Sequence, residues 1–119
     1  MRIETVRHSL AHIMALAVQE LHPGTRFGIG PSIENGFYYD FELKNPFSPA
    51  DLPKIEKKMK ELLQQNIRFE KKEISKSGAG KLFKNQPYKL ELIKGLPGKT
   101  ATIYESGRFI DLCAGPHVK

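Results

Sequence analysis

Apolar residues recur at spacings of three and four from Ile3 to Leu21, through Val6, Leu10, Ile13 and Ala17. That is the helical period, and it predicts a helix over 3–21 closed by Pro23-Gly24. The pattern then changes to alternation. Phe37, Tyr39, Phe41 and Leu43 fall on one face of an extended arm, with Tyr38, Asp40 and Glu42 on the other. With Phe27 to Ile33 as the opposing arm and Asn35-Gly36 between them, residues 26–43 read as a β-hairpin with a type I′ turn. Gly28 and Gly30 leave the first arm short of side chains. They mark either a bulged strand or a place where something approaches the backbone closely.

Residues 44–50 are a loop carrying Asn45-Pro46 and Ser48-Pro49. An amphipathic helix is expected over 51–66, with Pro53 in its first turn and Ile55, Met59, Leu62 and Leu63 as its buried stripe. Residues 67–74 alternate weakly and suggest a strand, and Ser75 to Gly78 reads as a breaker. One or two short helices over 79–94, interrupted near Pro87, precede a turn at 95–99. Thr100 to Glu105 and Arg108 to Leu112 form a second hairpin around Ser106-Gly107. Strands come in adjacent antiparallel pairs, so the expected class is α+β. It is an antiparallel sheet of hairpins packed with an N-terminal histidine-bearing helix and a central amphipathic helix. At 119 residues, 1–119 reads as a single domain.

Charge and cysteine content narrow the setting. The net charge of +6, with lysines at 54, 57, 58, 60, 71, 72 and 76, suits a polyanionic partner such as a nucleic acid, or simply a solvated face. No apolar run is long enough to span a membrane and no signal-peptide pattern opens the chain, so no membrane partner is expected. A single cysteine forms no intrachain disulfide. The expected location is cytoplasmic.

The candidate chemistry lies at the two ends. His8 and His12 are one turn apart on a helix face. Cys113 and His117 have the same spacing, with Gly115-Pro116 making a loop between them. Either pair alone is a weak signal. Together they give three imidazoles and a thiol, a ligand set that zinc accepts, although neither half has zinc-finger spacing. Asp111 precedes Cys113 by two and shares its face on an extended segment, where it can orient an imidazole or hold an amine, or lie solvated at a strand end. Lys89 can steady a carbonyl or an oxyanion, or be one surface lysine among many. Tyr39 can offer a hydroxyl to a pocket or simply pack. No phosphate-binding loop, nucleophile elbow or HExxH helix is present.

Three stretches carry a resemblance: Arg7 to His12, Ile29 to Asp40 (IGPSIENGFYYD) and Phe109 to Val118 (FIDLCAGPHV). In this order, and over nearly the whole chain, they resemble the editing domain of bacterial-type threonyl-tRNA synthetase. The resemblance implies a proofreading hydrolase that removes serine from tRNA(Thr). A synthetic site for threonine separates the two amino acids by one methyl, worth only ~1–3 kcal/mol, so a second site must clear the error. It carries over His8, His12, Lys89, Asp111, Cys113 and His117 as the catalytic set, with Gly30 and Tyr39 toward the substrate. His8 would be the base for water, Lys89 would meet developing negative charge, and Asp111 would hold the seryl amino group or hydroxyl. The implied partners are serine-charged tRNA(Thr) and the remaining synthetase domains; the ATP-dependent ligase site does not fit in this length. No cofactor is expected. Zinc on His8, His12, Cys113 and His117 is the lesser option, since the similar alanyl editing modules are zinc proteins. Other readings are a zinc-binding nucleic-acid module without catalysis, an alanyl-type hydrolase acting on Ser/Gly-tRNA(Ala), and a folded but inert fragment.

Overall fold

A computed structural model describes residues 2–113, Gly115, His117 and Val118; Pro116, half of the expected terminal loop, lies outside the described residues. The first helix, α1, spans Ile3–Leu21 as its period predicts. Its buried band is broader than the predicted stripe. Ala11, Ala15, Leu16, Ala17 and Val18 are buried, whereas Ile3 and Leu21 at its ends are exposed. The small alanines let strands and a second helix approach closely, and α1 contacts elements on several sides.

The first hairpin forms β1 (Arg26–Phe27), β2 (Ser32–Ile33), β3 (Gly36–Phe37) and β4 (Phe41–Glu42). Its turn differs from the expectation. Ile33 pairs with Gly36, so Glu34 and Asn35 are the loop residues, and neither Asn35 nor Gly36 has a positive φ, which a type I′ turn there would require. Arg7 reaches over from α1 to the carbonyls of Ile33 and Glu34, which helps hold this turn. The arms are also out of step. Phe27 pairs with Phe41 and Ser32 with Phe37, so residues 28–31 on one arm face only 38–40 on the other. The amide of Gly28 donates to Asp40 and that of Asp40 donates to Ile29, each at 2.8 Å. This is the bulge that Gly28 and Gly30 foreshadowed.

The central helix α2 covers Asp51–Gln64 and buries Ile55 and Leu62. It ends two residues early, with Asn66 in a left-handed conformation (φ 53°). Leu63 departs from the predicted stripe and is half exposed. β5 (Phe69–Ser75), α3 (Lys76–Leu82), α4 (Pro87–Lys94), β6 (Thr100–Ser106) and β7 (Phe109–Leu112) follow. The predicted breaker at Ser75 is a helix start: its hydroxyl accepts from the Gly78 amide at 3.0 Å, an N-cap. Pro87 sits at the first position of α4.

The three longer strands form one antiparallel sheet in the order β5-β6-β7; the first hairpin stays apart as two short ladders. Glu70, Lys71, Lys72 and Glu73 make β5 a charged edge, which resists pairing with another chain. Alternation on β7 sorts its residues between two apolar clusters. Phe109 joins α1, Phe27, Tyr39 and Leu62, whereas Ile110 and Leu112 pack with Ala79, Phe83, Ile93 and Ile103. Asp111, between Ile110 and Leu112, is therefore turned with Phe109 toward α1.

Candidate active site

The end of β7 meets the first half of α1, and the two residue pairs become one cluster. The ligand-type atoms of His8, His12, Cys113 and His117 all lie within 4.8 Å of one another. Cys113 Sγ is 3.3 Å from Nε2 of His8 and 3.4 Å from Nε2 of His117. The ring of His117 sits 4.2 Å from the rings of both His8 and His12, stacks on Phe69 and meets Tyr104 edge-on. Gly115 makes this turn possible. Its φ is +87°, and a Cβ there would stand 2.4 Å from the Tyr104 hydroxyl.

Beside the cluster is a second, charged group. Lys89 is the largest fully buried side chain, 2% exposed. Its ammonium donates to the Gly28 carbonyl at 2.6 Å, to the Tyr39 hydroxyl at 3.0 Å and to Asp111 Oδ1. The bulge bears directly on this contact, since Gly28 is the residue whose carbonyl receives the lysine. Asp111 Oδ2 accepts from Tyr39 at 2.6 Å and from His12 Nε2 at 3.1 Å. Lys89, left in sequence terms between oxyanion partner and surface lysine, is thus fully desolvated, and Asp111 is no solvated strand end.

The environment sets protonation. Burial pushes the Asp111 carboxyl up, but the bond from His12 and the charge of Lys89 outweigh it and hold it near 2. Burial, only partly opposed by the Gly115 amide, lifts the Cys113 thiol to about 11. Burial, then the neighbouring His12 and His8, lower His117 to about 3, so it is a neutral imidazole at ordinary pH. Burial, with Asp111 next, drives the Tyr39 phenol strongly upward.

A cavity of about 170 Å³ opens among these groups, lined by His8, Ile29, Gly30, Pro31, Lys89, Asp111, Leu112 and Cys113. Four of the six residues predicted as catalytic line it, and so does Gly30. His12, His117 and Tyr39 stand behind the wall rather than in it. Tyr39 explains Gly30: a Cβ at residue 30 would lie 2.0 Å from the tyrosine ring, so only glycine leaves room for it. Sequence reasoning missed Ser9, which is buried and bonded to Nδ1 of His117 at 3.0 Å. Its signal was available, because Ser9 sits between His8 and His12 on a helix whose buried band includes Ala11, His12 and Ile13.

The cluster also fits zinc in donor type. Around its four ligands, Ser9 holds His117 and Asp111 holds His12, the outer partners that zinc histidines usually have. The Nδ1 atom of His12 is buried without a hydrogen-bond partner among the described residues. Bound zinc would require Cys113 to give up its proton.

What the fold and cluster define is an α+β module with a small polar pocket of acid/base groups. Comparison with known proteins then shows what the chain is similar to. No family model matches the chain. Threonine–tRNA ligases do: that of Thermotoga petrophila is 54% identical over 118 residues, 97% of this chain and 18% of the relative. That of Dehalococcoides mccartyi is 53% identical over 116 residues, 98% of this chain and 20% of the relative. The Rhizobium etli enzyme is 53% identical over 119 residues, again 98% of this chain and 18% of the relative. The resemblance to threonyl-tRNA synthetase is thereby borne out over nearly the whole chain. The chain spans about a fifth of the length of the curated relatives it matches. No helix among the described residues is long and apolar enough to cross a membrane.

Proposed function

We propose that this chain is a proofreading hydrolase that deacylates Ser-tRNA(Thr) within a threonyl-tRNA synthetase. The observation that carries the proposal is the cavity of about 170 Å³ lined together by His8, Lys89, Asp111 and Cys113. It joins a general base, a cation, an anion and a polar thiol in a space of amino-acid size.

In the proposed reaction, water attacks the ester carbonyl joining serine to the terminal ribose. His8 takes the water proton and passes it to the departing ribose oxygen as the carbon–oxygen ester bond breaks, and the hydroxide becomes part of the serine carboxyl group. Lys89 supplies a fixed positive charge near the carbonyl oxygen on which negative charge develops. Its three N–H donors already face Gly28, Tyr39 and Asp111, so it acts as part of a rigid floor rather than as a mobile acid. A carboxylate offers about four acceptor directions. Asp111 uses three of them on Lys89, Tyr39 and His12, which leaves one for the seryl ammonium. His12 and Tyr39 orient Asp111, and His117 orients Cys113. Threonine is excluded by its additional methyl, and the net charge of +6 suits a tRNA.

The four-residue ligand set favours one other reading, a zinc site. There His8, His12, Cys113 and His117 would hold the ion, which would supply Lewis acidity or structural cross-linking. Hydrolysis of Ser-tRNA(Thr) by the metal-free chain, with Thr-tRNA(Thr) spared, tests the proposed activity against it. The serine-charged tRNA, the remaining synthetase domains and a cytoplasmic setting belong to the same proposal.

A further inference from the structure

We infer that Gln86 is a positioning residue for the proposed hydrolysis: its side-chain amide fastens the start of α4 to β1 and so fixes the place of the Lys89 ammonium on the cavity floor. The catalytic consequence rests on the proposed hydrolase, whereas the placing of Lys89 rests on the hydrogen bonds alone.

Gln86 stands at the N-cap of α4, just before Pro87, yet its side chain makes no bond that caps the helix. It crosses instead to the strand alongside. Oε1 accepts from the Phe27 amide at 2.8 Å, and Nε2 donates to the Thr25 carbonyl at 3.1 Å. A primary amide carries an acceptor and donors side by side, as a peptide group does. Thr25 and Phe27 are buried, so their backbone groups need partners. Among the described residues β1 pairs only with β4, and Gln86 serves it as a substitute for a second neighbouring strand.

The same arm meets α4 again one residue further on. The Gly28 amide donates to Asp40, but the Asp40 amide donates to Ile29 and not back to Gly28. The bulge thus releases the Gly28 carbonyl from the ladder, and Lys89 takes it at 2.6 Å. Lys89 lies one turn beyond Gln86, on the same side of the helix. The two side chains grip residues 25, 27 and 28 of one arm. Their tasks differ. Lys89 lines the cavity, whereas Gln86 is not among its lining residues. A lysine stem is flexible, so the ammonium alone does not hold the helix in register; the paired bonds of Gln86 do. A charge that meets an oxyanion must stand at a set distance from it, and a misplacement of ~1 Å can cost ~10²-fold in rate.

The test uses the 119-residue chain, labelled with carbon-13 and nitrogen-15, in metal-free buffer. NMR couplings across hydrogen bonds should join the Phe27 amide nitrogen to Cδ of Gln86, and Nζ of Lys89 to the carbonyl carbon of Gly28. Gln86→Met keeps the length and removes the amide. In that variant the Lys89–Gly28 coupling should disappear while the chain stays folded. Its kcat on Ser-tRNA(Thr) should fall ~10-fold or more, with KM little changed, the sign of an interaction lost in the transition state. Gln86→Glu keeps the acceptor for Phe27 but sets an oxygen against the Thr25 carbonyl. It should weaken the same coupling, and it carries the test if Gln86→Met does not fold. An unchanged Lys89–Gly28 coupling in a folded variant would overturn the inference. So would a lowered urea midpoint with kcat unchanged, or a wild type without the Phe27–Gln86 coupling. If the wild type fails to deacylate Ser-tRNA(Thr), the proposed function falls, and the couplings still decide what places Lys89.

Discussion

Lys89 and Asp111 form a buried ion pair, each about 2% exposed, at the floor of the cavity. The lysine comes from α4 and the aspartate from β7, so their contact fastens α4 to the pocket. Two further donors on the carboxylate, Tyr39 and His12, make the pair one corner of a satisfied network. Breaking such a pair from one side leaves an uncompensated charge, at a cost of ~3–5 kcal/mol. Lys89→Met should therefore lower stability by about that amount in urea denaturation. A loss of about 1 kcal/mol or less, the size of a solvated pair, would show that Asp111 is reached by water.

Acid should weaken the fold in two stages. His117 titrates near 3 in the folded chain against an ordinary 6.5, and Asp111 near 2 against 3.8. In both cases the unfolded state binds protons at higher pH than the folded state. Stability is therefore full above about 6.5 and falls as pH drops toward 3, first through His117 and then through Asp111. The urea midpoint should fall between pH 7 and pH 5, an interval chosen around the ordinary histidine value. In His117→Gln this part of the slope should flatten. A slope that survives the substitution would assign it elsewhere.

Cys113 behaves in the opposite sense. Its thiol is lifted to about 11 from an ordinary 9, so its contribution is present below 9 and lost as pH rises through 11. The thiolate is the reactive form. Alkylation of the native chain should be slow near neutrality and should accelerate only toward pH 11. Rapid reaction near neutral pH would indicate an ionised sulfur.

Gly30 carries the tyrosine ring on its bare Cα. Gly30→Ala would set a methyl 2.0 Å from Tyr39, force the ring aside and pull its hydroxyl from Asp111 and Lys89. Overpacking of this kind costs ~1–3 kcal/mol, and deacylation should fall with it. Wild-type stability in Gly30→Ala would mean that the hairpin yields freely at the bulge.

Zinc content separates a ligand cluster from a hydrolytic wall. After dialysis against a chelator the chain should hold well under one equivalent of zinc and keep its fold. Retention of a full equivalent, lost in His12→Ala, would make the four residues ligands first.

Much of this site was legible in the sequence because it depends on periodicity. The i,i+4 spacing put His8 and His12 on one face of α1, and the two-residue step put Asp111 on the same side as Cys113. The second hairpin was legible as well, although its turn falls at Gly107-Arg108, one residue beyond Ser106-Gly107, with Gly107 at a φ of +61°. What stayed hidden depends on contacts between distant segments. The turn at Glu34-Asn35 slipped one residue from the Asn-Gly signal, in a hairpin that carries a bulge and is held by Arg7 from α1. Leu63 kept the right period but lies at the edge of the helix interface. Lys89 stayed between oxyanion partner and surface lysine, since nothing local reveals that Asp111, 22 residues on, will meet it in the interior.

Hydrolysis of Ser-tRNA(Thr) by the metal-free chain and its His8→Ala variant is the decisive measurement. The wild type should release serine and spare Thr-tRNA(Thr), and His8→Ala should be slower by ~10²-fold or more with an unchanged urea midpoint. Equal rates for the two proteins would remove His8 as the base. An intact Ser-tRNA(Thr) after incubation with the folded wild type would show that the chain is not a serine-editing hydrolase.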